Sequence, residues 1–169
     1  MKALNYLFKG LSWIVIAAIV IYMAIAAPLI MGYRPVVVLT GSMQPTFPVG
    51  SIVYYHACDF DKLQVGDAIT FKAEDSLVTH RITTVNGLSR TVVTKGDNND
   101  TEDPVPVEEN EIVGKTTSFA IPYAGYFVTY GKEPIAIAAM AAILLINYVL
   151  ESICSRQKGE KKKDDEKKE

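Results

Sequence analysis

A long uncharged apolar segment near the amino terminus limits the folds open to this chain more than any other feature. Leu11 to Ile30 spans about 20 residues without a formal charge, the length that a helix needs to cross roughly 30 Å of hydrocarbon. We expect a transmembrane helix here. The preceding Lys2 and Lys9 and the small residues of "AIAAPLIMG" also fit a cleaved signal peptide. Because the apolar run is longer than the core of a typical signal peptide, the sequence favours a retained anchor.

A second apolar block lies near the carboxyl terminus. It extends from Ile135 to Ile153, and its uncharged core, which ends at Leu150, is near the lower length limit for a membrane span. We predict a second transmembrane helix, with a buried or interfacial helix as the alternative. The tail that follows contains "KGEKKKDDEKKE", a composition typical of a disordered, solvated end with some attraction to anionic membrane lipid.

The two blocks divide the chain into four predicted regions. They are the cytoplasmic amino terminus with its anchor (residues 1–33), an extracytoplasmic domain (34–134), the second span (135–153) and a charged cytoplasmic tail (154–169). Lys2 and Lys9 precede the first span, and a Lys- and Arg-rich segment follows the second. By the positive-inside rule, this pattern places both termini in the cytoplasm.

Charge and cysteine usage in the extracytoplasmic domain exclude several function classes. Residues 34–134 contain 8 Lys and Arg against 13 Asp and Glu, which argues against nucleic acid as a partner. Cys58 and Cys154 fall on opposite sides of the predicted membrane, so we expect no disulfide between them. The sequence contains no CxxC motif and no Cys/His cluster, so we predict neither a metal nor a cofactor.

The extracytoplasmic domain is predicted to be mainly β. Runs rich in Val, Ile, Thr, Tyr and Phe recur between turn residues, namely "PVVVLTG", "GSIVYY", "GDAITFK", "SLVTHRITTV", "SRTVVTKG" and "GKTTSFAI". Short strands in this number predict a compact sheet or barrel. Asn86-Gly87 predicts a hairpin between the fourth and fifth runs, with the loop length left open.

Ser42 stands on a Thr-Gly-Ser-Met turn between two of these runs. A serine in a turn usually bonds the local backbone, and it becomes a nucleophile only when a base within hydrogen-bond reach takes its proton. His80 lies in the middle of "SLVTHRITTV", where alternation places it on one face with Val78 and Ile82. It is either a core residue whose ring nitrogens are hydrogen-bonded or the general base for Ser42. His56, in a polar loop-like context, is the weaker candidate.

A catalytic histidine also needs a carboxylate to hold its imidazole ring. The segment "TKGDNNDTEDPVP" offers four carboxylates at the end of the strand expected to pair with the histidine strand: Asp97, Asp100, Glu102 and Asp103. The alternatives are a solvated acidic loop or a calcium site. The segment lacks the glycine and the terminal glutamate of an EF-hand, which disfavours calcium.

Five segments in order resemble the sequence boxes of type I signal peptidases, in the branch typified by the endoplasmic-reticulum enzyme. These segments are "TGSMQPTF", "GDAITFK", "LVTHRITTV", "TKGDNNDTEDP" and "IPYAGY", within residues 34 to about 126. The typical bacterial enzyme has a lysine base where this sequence has His80. The resemblance therefore implies a signal-peptidase-like β fold and a serine endopeptidase of the Ser/His type.

The same resemblance implies a role for each matching residue. Ser42 would be the nucleophile and His80 the general base. Asp103 would be the partner of the histidine, and Asp97 a structural or supporting carboxylate. The Ser42 N–H and the Thr40 hydroxyl would form the oxyanion hole. Lys72 lies before the base position and is followed by acidic residues, so it is a weak alternative base.

We therefore expect an enzyme that removes signal peptides from exported preproteins after small residues, at the outer face of the cytoplasmic membrane. Its expected partners are signal peptides, membrane lipid and possible secretion-machinery proteins. A Gram-positive plasma membrane is preferred over an archaeal or endoplasmic-reticulum membrane, because "GDNNDT" and "PYAGY" are most similar to Gram-positive members. The alternative is a non-catalytic, membrane-anchored β-domain that only binds extended chains.

Overall fold

The computed structural model describes residues 2–74 and 76–166 and contains three α-helices. Helix α1 covers Lys2–Ala26, α2 covers Ala124–Gly131 and α3 covers Pro134–Glu166. Segments Ala3–Met31 and Pro134–Ser155 are long and apolar enough, by length and composition, to cross a membrane. The chain divides into a helical unit and a β unit, the latter comprising Ile25–Thr129.

Seven strands form one sheet in the β unit. They are β1 (Arg34–Val37), β2 (Ile52–His56), β3 (Ala68–Ala73), β4 (Ser76–Asn86), β5 (Thr91–Lys95), β6 (Val107–Glu108) and β7 (Ile112–Ile121). Neighbouring strands are antiparallel, and their order is β1-β2-β7-β3-β4-β5-β6. The predicted fold class, a mainly β domain with an apolar helix at each end of the chain, is confirmed.

The predicted β-rich runs correspond to six of the seven strands. The hairpin at Asn86-Gly87 joins β4 to β5 through a longer loop, in which the Asn86 side chain accepts hydrogen bonds from the N–H groups of Leu88 and Ser89. Strand β6 was not predicted, because a pair of residues after a proline-rich segment gives no alternation to detect.

Three clusters of buried side chains support the sheet. Phe60, Leu63, Ile69, Phe71, Ile82, Val92 and Val107 form the first. Met43, Phe47, Val53 and Ala68 form the second, and Ile52, Tyr54 and Ala124 form the third. The second cluster lies beneath the turn that carries Ser42, and this packing fixes the turn to the sheet.

The structure of the tail differs from the prediction. It was predicted to be disordered, but helix α3 continues as far as Glu166. Lys and Glu are both good helix formers, so a charged run can extend a helix that an apolar segment has already started. Residues 167–169 lie outside the described residues.

Polar contacts join α1 and α3 within the helical unit. The Asn5 side-chain amide donates to Cys154 Sγ at 3.6 Å, and Lys9 Nζ lies 3.1 Å from Glu151 Oε1. As the residue number rises along α1, that of the partner falls along α3. The two helices are therefore antiparallel neighbours.

Candidate active site

Ser42 lies on the turn between β1 and β2, and apolar residues anchor this turn. Met43 and Phe47 are buried at 2% and 1% exposure in the cluster beneath it. The turn is closed by a hydrogen bond of 2.8 Å from the Phe47 N–H to the Met43 carbonyl. Because the residue next to Ser42 is fixed in the core, the hydroxyl of Ser42 is held at the protein surface.

His80 is in the first half of β4, on the face that turns toward the core. It pairs with Ile69 of β3, and only 8% of the residue is exposed. The ring of Phe71 packs edge-on against the imidazole, with a centroid separation of 6.3 Å. Strand pairing and aromatic packing together limit how the imidazole can rotate.

A chain of hydrogen bonds joins three of the predicted site residues. His80 Nε2 lies 3.1 Å from Ser42 Oγ, and His80 Nδ1 lies 2.6 Å from Asp103 Oδ2. An ionised carboxylate only accepts hydrogen bonds, so Nδ1 carries the proton and donates it. In a neutral ring, Nε2 is then the acceptor for the Ser42 hydroxyl. This arrangement can withdraw a proton from Ser42.

Asp103 is held by Thr94 of β5. The Thr94 hydroxyl donates to Asp103 Oδ2 at 2.6 Å, and the Asp103 N–H donates to the Thr94 carbonyl at 2.8 Å. Thr94 is fully buried at 0% exposure. The carboxylate that faces His80 is therefore positioned through both its side chain and its backbone.

Asp97 has different partners. It forms a bidentate ion pair with Arg81, whose Nε and Nη2 each lie 2.7 Å from a carboxylate oxygen. Thr46, in the Ser42 turn, donates to Asp97 Oδ2 at 2.6 Å. The hydrogen bonds from Arg81, joined by that from Thr46, outweigh burial and hold the pKa of Asp97 below its usual value.

Two further residues position Ser42, and sequence reasoning did not single them out. The Asn98 N–H donates to the Ser42 carbonyl at 2.8 Å. A Cβ on Gly96 would lie 2.7 Å from the same carbonyl oxygen and 2.8 Å from Asn99 Nδ2. The glycine in "TKGDNND" was the available signal, because a glycine at a strand end often marks a close backbone approach.

A cleft of about 400 Å³ opens beside Ser42. Its lining includes Val36–Thr40 on one side and Ser76–His80 on the other. Thr40 Oγ1 lies 3.3 Å from Ser42 Oγ at the end of this cleft. Strand β1 is at the edge of the sheet, so one side of its backbone is unpaired by the sheet and accessible to an added strand.

The other candidate residues lie apart from this hydrogen-bond chain. His56 packs edge-on against Tyr33, and Lys72 is an exposed residue of β3 paired with Leu77. Asp100 and Glu102 are exposed. Within residues 2–74 and 76–166, no group of His, Cys, Asp and Glu is arranged to hold a metal ion.

The sequence matches the family model of signal peptidase, peptidase S26, over residues 10–101, which is more than half of the chain. The protein therefore belongs to the signal peptidase family, peptidase S26.

Curated relatives come from bacteria, animals and fungi. Signal peptidase I W of Bacillus subtilis (strain 168) is 39% identical over 56% of this chain and 52% of its own length. The signal peptidase complex catalytic subunit SEC11C of Rattus norvegicus is 33% identical over 66% of each chain. The corresponding SEC11 subunit of Pyricularia oryzae is 32% identical over 69% of this chain and 74% of its own. The chain thus spans about half to two thirds of the length of the first two relatives.

Proposed function

We propose that this protein is a membrane-bound serine endopeptidase that cleaves N-terminal signal peptides from exported preproteins after small residues. The observation that carries the proposal is the hydrogen-bond chain from Ser42 through His80 to Asp103. A structural histidine does not require a surface serine on one ring nitrogen and a backbone-held carboxylate on the other. This geometry supports the roles of nucleophile, base and orienting acid for the three residues.

Each residue of the site has its own role in the proposed reaction. Ser42 Oγ attacks the scissile carbonyl while His80 Nε2 takes its proton. Asp103 stabilises the imidazolium that forms, and the Ser42 N–H and Thr40 hydroxyl stabilise the oxyanion. The imidazolium then gives its proton to the leaving amine. A water molecule, activated by His80, finally releases the signal peptide from Ser42.

The cleft suits an extended peptide. The free edge of β1 can pair with a substrate backbone, so recognition through main-chain hydrogen bonds does not depend on side-chain identity. Four valines, Met43 and Phe47 line the cleft. Shallow apolar walls of this kind leave room for small side chains on the signal-peptide side of the scissile bond.

Two membrane spans are part of the proposal. The antiparallel contacts between α1 and α3 support a helical hairpin with both ends on the same side. Lys2, Lys9 and the Lys-rich tail support a cytoplasmic location for those ends. The membrane is proposed to be the plasma membrane. The SEC11 relatives are named as catalytic subunits of a signal peptidase complex, which supports partner subunits for this protein as well.

Uncharged exposed surface supports contact with lipid. In the β unit, Ile30, Met31 and Tyr123 are exposed at 91%, 78% and 76%. Ile30 and Met31 lie just after α1, and Tyr123 lies directly before α2, both in stretches without Asp, Glu, Lys or Arg. Such residues favour the interface between hydrocarbon and water, where tyrosine is enriched.

Incubation of the purified protein in detergent with a preprotein tests this function. We expect mature product from the wild type and none from Ser42→Ala. Ser118→Ala, which changes an exposed serine of β7, is the matched control and should retain activity. Mature product from the Ser42→Ala variant would exclude the mechanism. Binding of the preprotein without cleavage by the wild type would favour the alternative, a non-catalytic β-domain.

A further inference from the structure

A second cavity, of about 420 Å³, lies next to the active-site cleft. Its apolar lining includes Phe71, Val78, Val105 and Val107, together with Pro104 and Pro106. Lys72, Glu74 and Glu111 add charged groups of both signs. The reaction as described above uses none of these residues, so the cavity needs a separate explanation.

The two cavities meet at β4. Val78 and His80, which share one face of the strand, line both of them. Ser42 and Thr40 belong to the first cavity, and Asp103 belongs to the second. His80 therefore separates a cavity that contains the nucleophile from one that contains the orienting acid.

The chemistry of the leaving group indicates on which side of His80 the amine part of the substrate lies. After Ser42 attacks, the departing amine must take its proton from His80 Nε2, so this nitrogen and the amine must come within hydrogen-bond distance. The peptide on the amine side of the scissile bond consequently passes over the imidazole. The next apolar space beyond the imidazole is the second cavity.

We propose that the second cavity binds the first residues of the mature chain and favours an apolar side chain there. This inference rests on the proposed function and extends it to the side of the scissile bond that the cleft beside Ser42 does not cover. The substrate class is an extended peptide whose segment just after the cleavage site carries a side chain such as leucine.

The wall of the cavity is preformed. At one end of the wall, the Asp103 N–H bonds to the Thr94 carbonyl, and at the other end Val107 pairs with Val92 of β5. Between these fixed points, Val105 is 71% exposed and available to a ligand. A site that is rigid before binding loses little conformational entropy when the peptide enters.

Val105→Asp tests the cavity, because an exposed side chain can be changed without disturbing the core. Val65→Asp is the matched control, since Val65 is 64% exposed and absent from the lining of both cavities. The substrates are preproteins in which leucine or alanine occupies each of the first three mature positions in turn. Measurement of kcat/KM for each pair gives a leucine-to-alanine ratio.

We expect the wild type and Val65→Asp to favour leucine at one or more of these positions by about tenfold, the size of effect that an apolar pocket produces. In Val105→Asp, this ratio should fall to about one, while discrimination between alanine and leucine at the last signal-peptide residue is unchanged. A wild-type ratio of one at all three positions, or an unchanged ratio in Val105→Asp, would overturn the proposal. Absence of cleavage by the wild type would instead overturn the proposed function, and the subsite with it.

A binding measurement checks the location without turnover. In the Ser42→Ala variant, a photoreactive residue at the second mature position of a preprotein should cross-link to residues 104–107. The same group placed three residues before the cleavage site should cross-link to residues 36–39 instead. Cross-links from the mature position to residues 36–39 only would show that the peptide runs the other way, which would overturn the proposal.

Discussion

Asp97 and Asp103 belong to the same acidic loop, yet they pair with two different, neighbouring residues of β4. Asp103 meets His80 on the face that turns toward the core, whereas Asp97 meets Arg81, the next residue. The first pair contains an imidazole, which can accept a proton from the serine hydroxyl and later release it. In the second pair the guanidinium keeps its charge, because arginine does not deprotonate in proteins.

The difference suits the two pairs to different roles, with proton transfer for Asp103 and His80 and positioning of the Ser42 turn for Asp97 and Arg81. The Asp103 and His80 pair continues to Ser42 Oγ, the atom that would react. The Asp97 and Arg81 pair continues to Thr46 in the Ser42 turn and to the Gly66 carbonyl, which Arg81 Nη1 reaches at 2.7 Å. Both networks end at the same turn. We infer that one moves the proton and that the other holds the turn in place.

Loss of the imidazole should produce the largest effect. We expect His80→Ala to lower kcat/KM for a preprotein by about 10⁴-fold or more, because a nucleophile without its base is nearly inactive. His56→Ala and Lys72→Ala should retain activity, since neither side chain belongs to the hydrogen-bond chain. Equal losses in all three variants would remove the distinction between His80 and the other candidate bases.

Asp103→Asn should produce the second-largest effect. The amide can donate toward the imidazole and so favour the wrong tautomer, and a fall in kcat of about 10³- to 10⁴-fold is expected. The melting temperature in detergent should change little, because the amide keeps the shape of the carboxyl group. A large fall in melting temperature with normal turnover per folded molecule would assign Asp103 a structural role.

Asp97→Asn should mainly affect stability. The amide loses the charge that pairs with Arg81 and keeps one acceptor oxygen, so we expect a loss of about 1–3 kcal/mol in the free energy of unfolding. Thermal or denaturant unfolding in detergent measures this loss, and activity should fall only with the folded fraction. Lost turnover with unchanged melting would exchange the roles of the two aspartates.

The smallest expected effect is a difference in acid stability. Arg81 and Thr46 hold the pKa of Asp97 below its usual value of about 3.9, so the carboxylate stabilises the fold above that pH. This stabilisation is lost as the pH falls through the lowered pKa. The gap in melting temperature between the wild type and Asp97→Asn should be constant from pH 7 to about 5 and should close below about 4. A constant gap down to pH 3 would contradict this assignment.

The sequence predicted much of the local structure. Alternation in "SLVTHRITTV" put His80 on the face of Val78 and Ile82, and β4 has this pattern, with His80 and Ile82 buried. Apolar runs of membrane length predicted both long helices. These features could be predicted because periodicity and length act within a continuous stretch of chain.

By itself, then, the sequence determined six of the seven strands, the apolar helices and a short set of candidates that included Ser42, His80 and the acidic loop. Only the tertiary structure decided that β7 lies between β2 and β3, that Gly96 packs against the Ser42 carbonyl, and that Asp103 and Asp97 have different partners. The physical reason is that each of these outcomes depends on which distant segments share a face of the sheet. Four carboxylates within seven residues, Asp97 to Asp103, are chemically alike until strand pairing and turn packing bring one to the imidazole and another to the guanidinium.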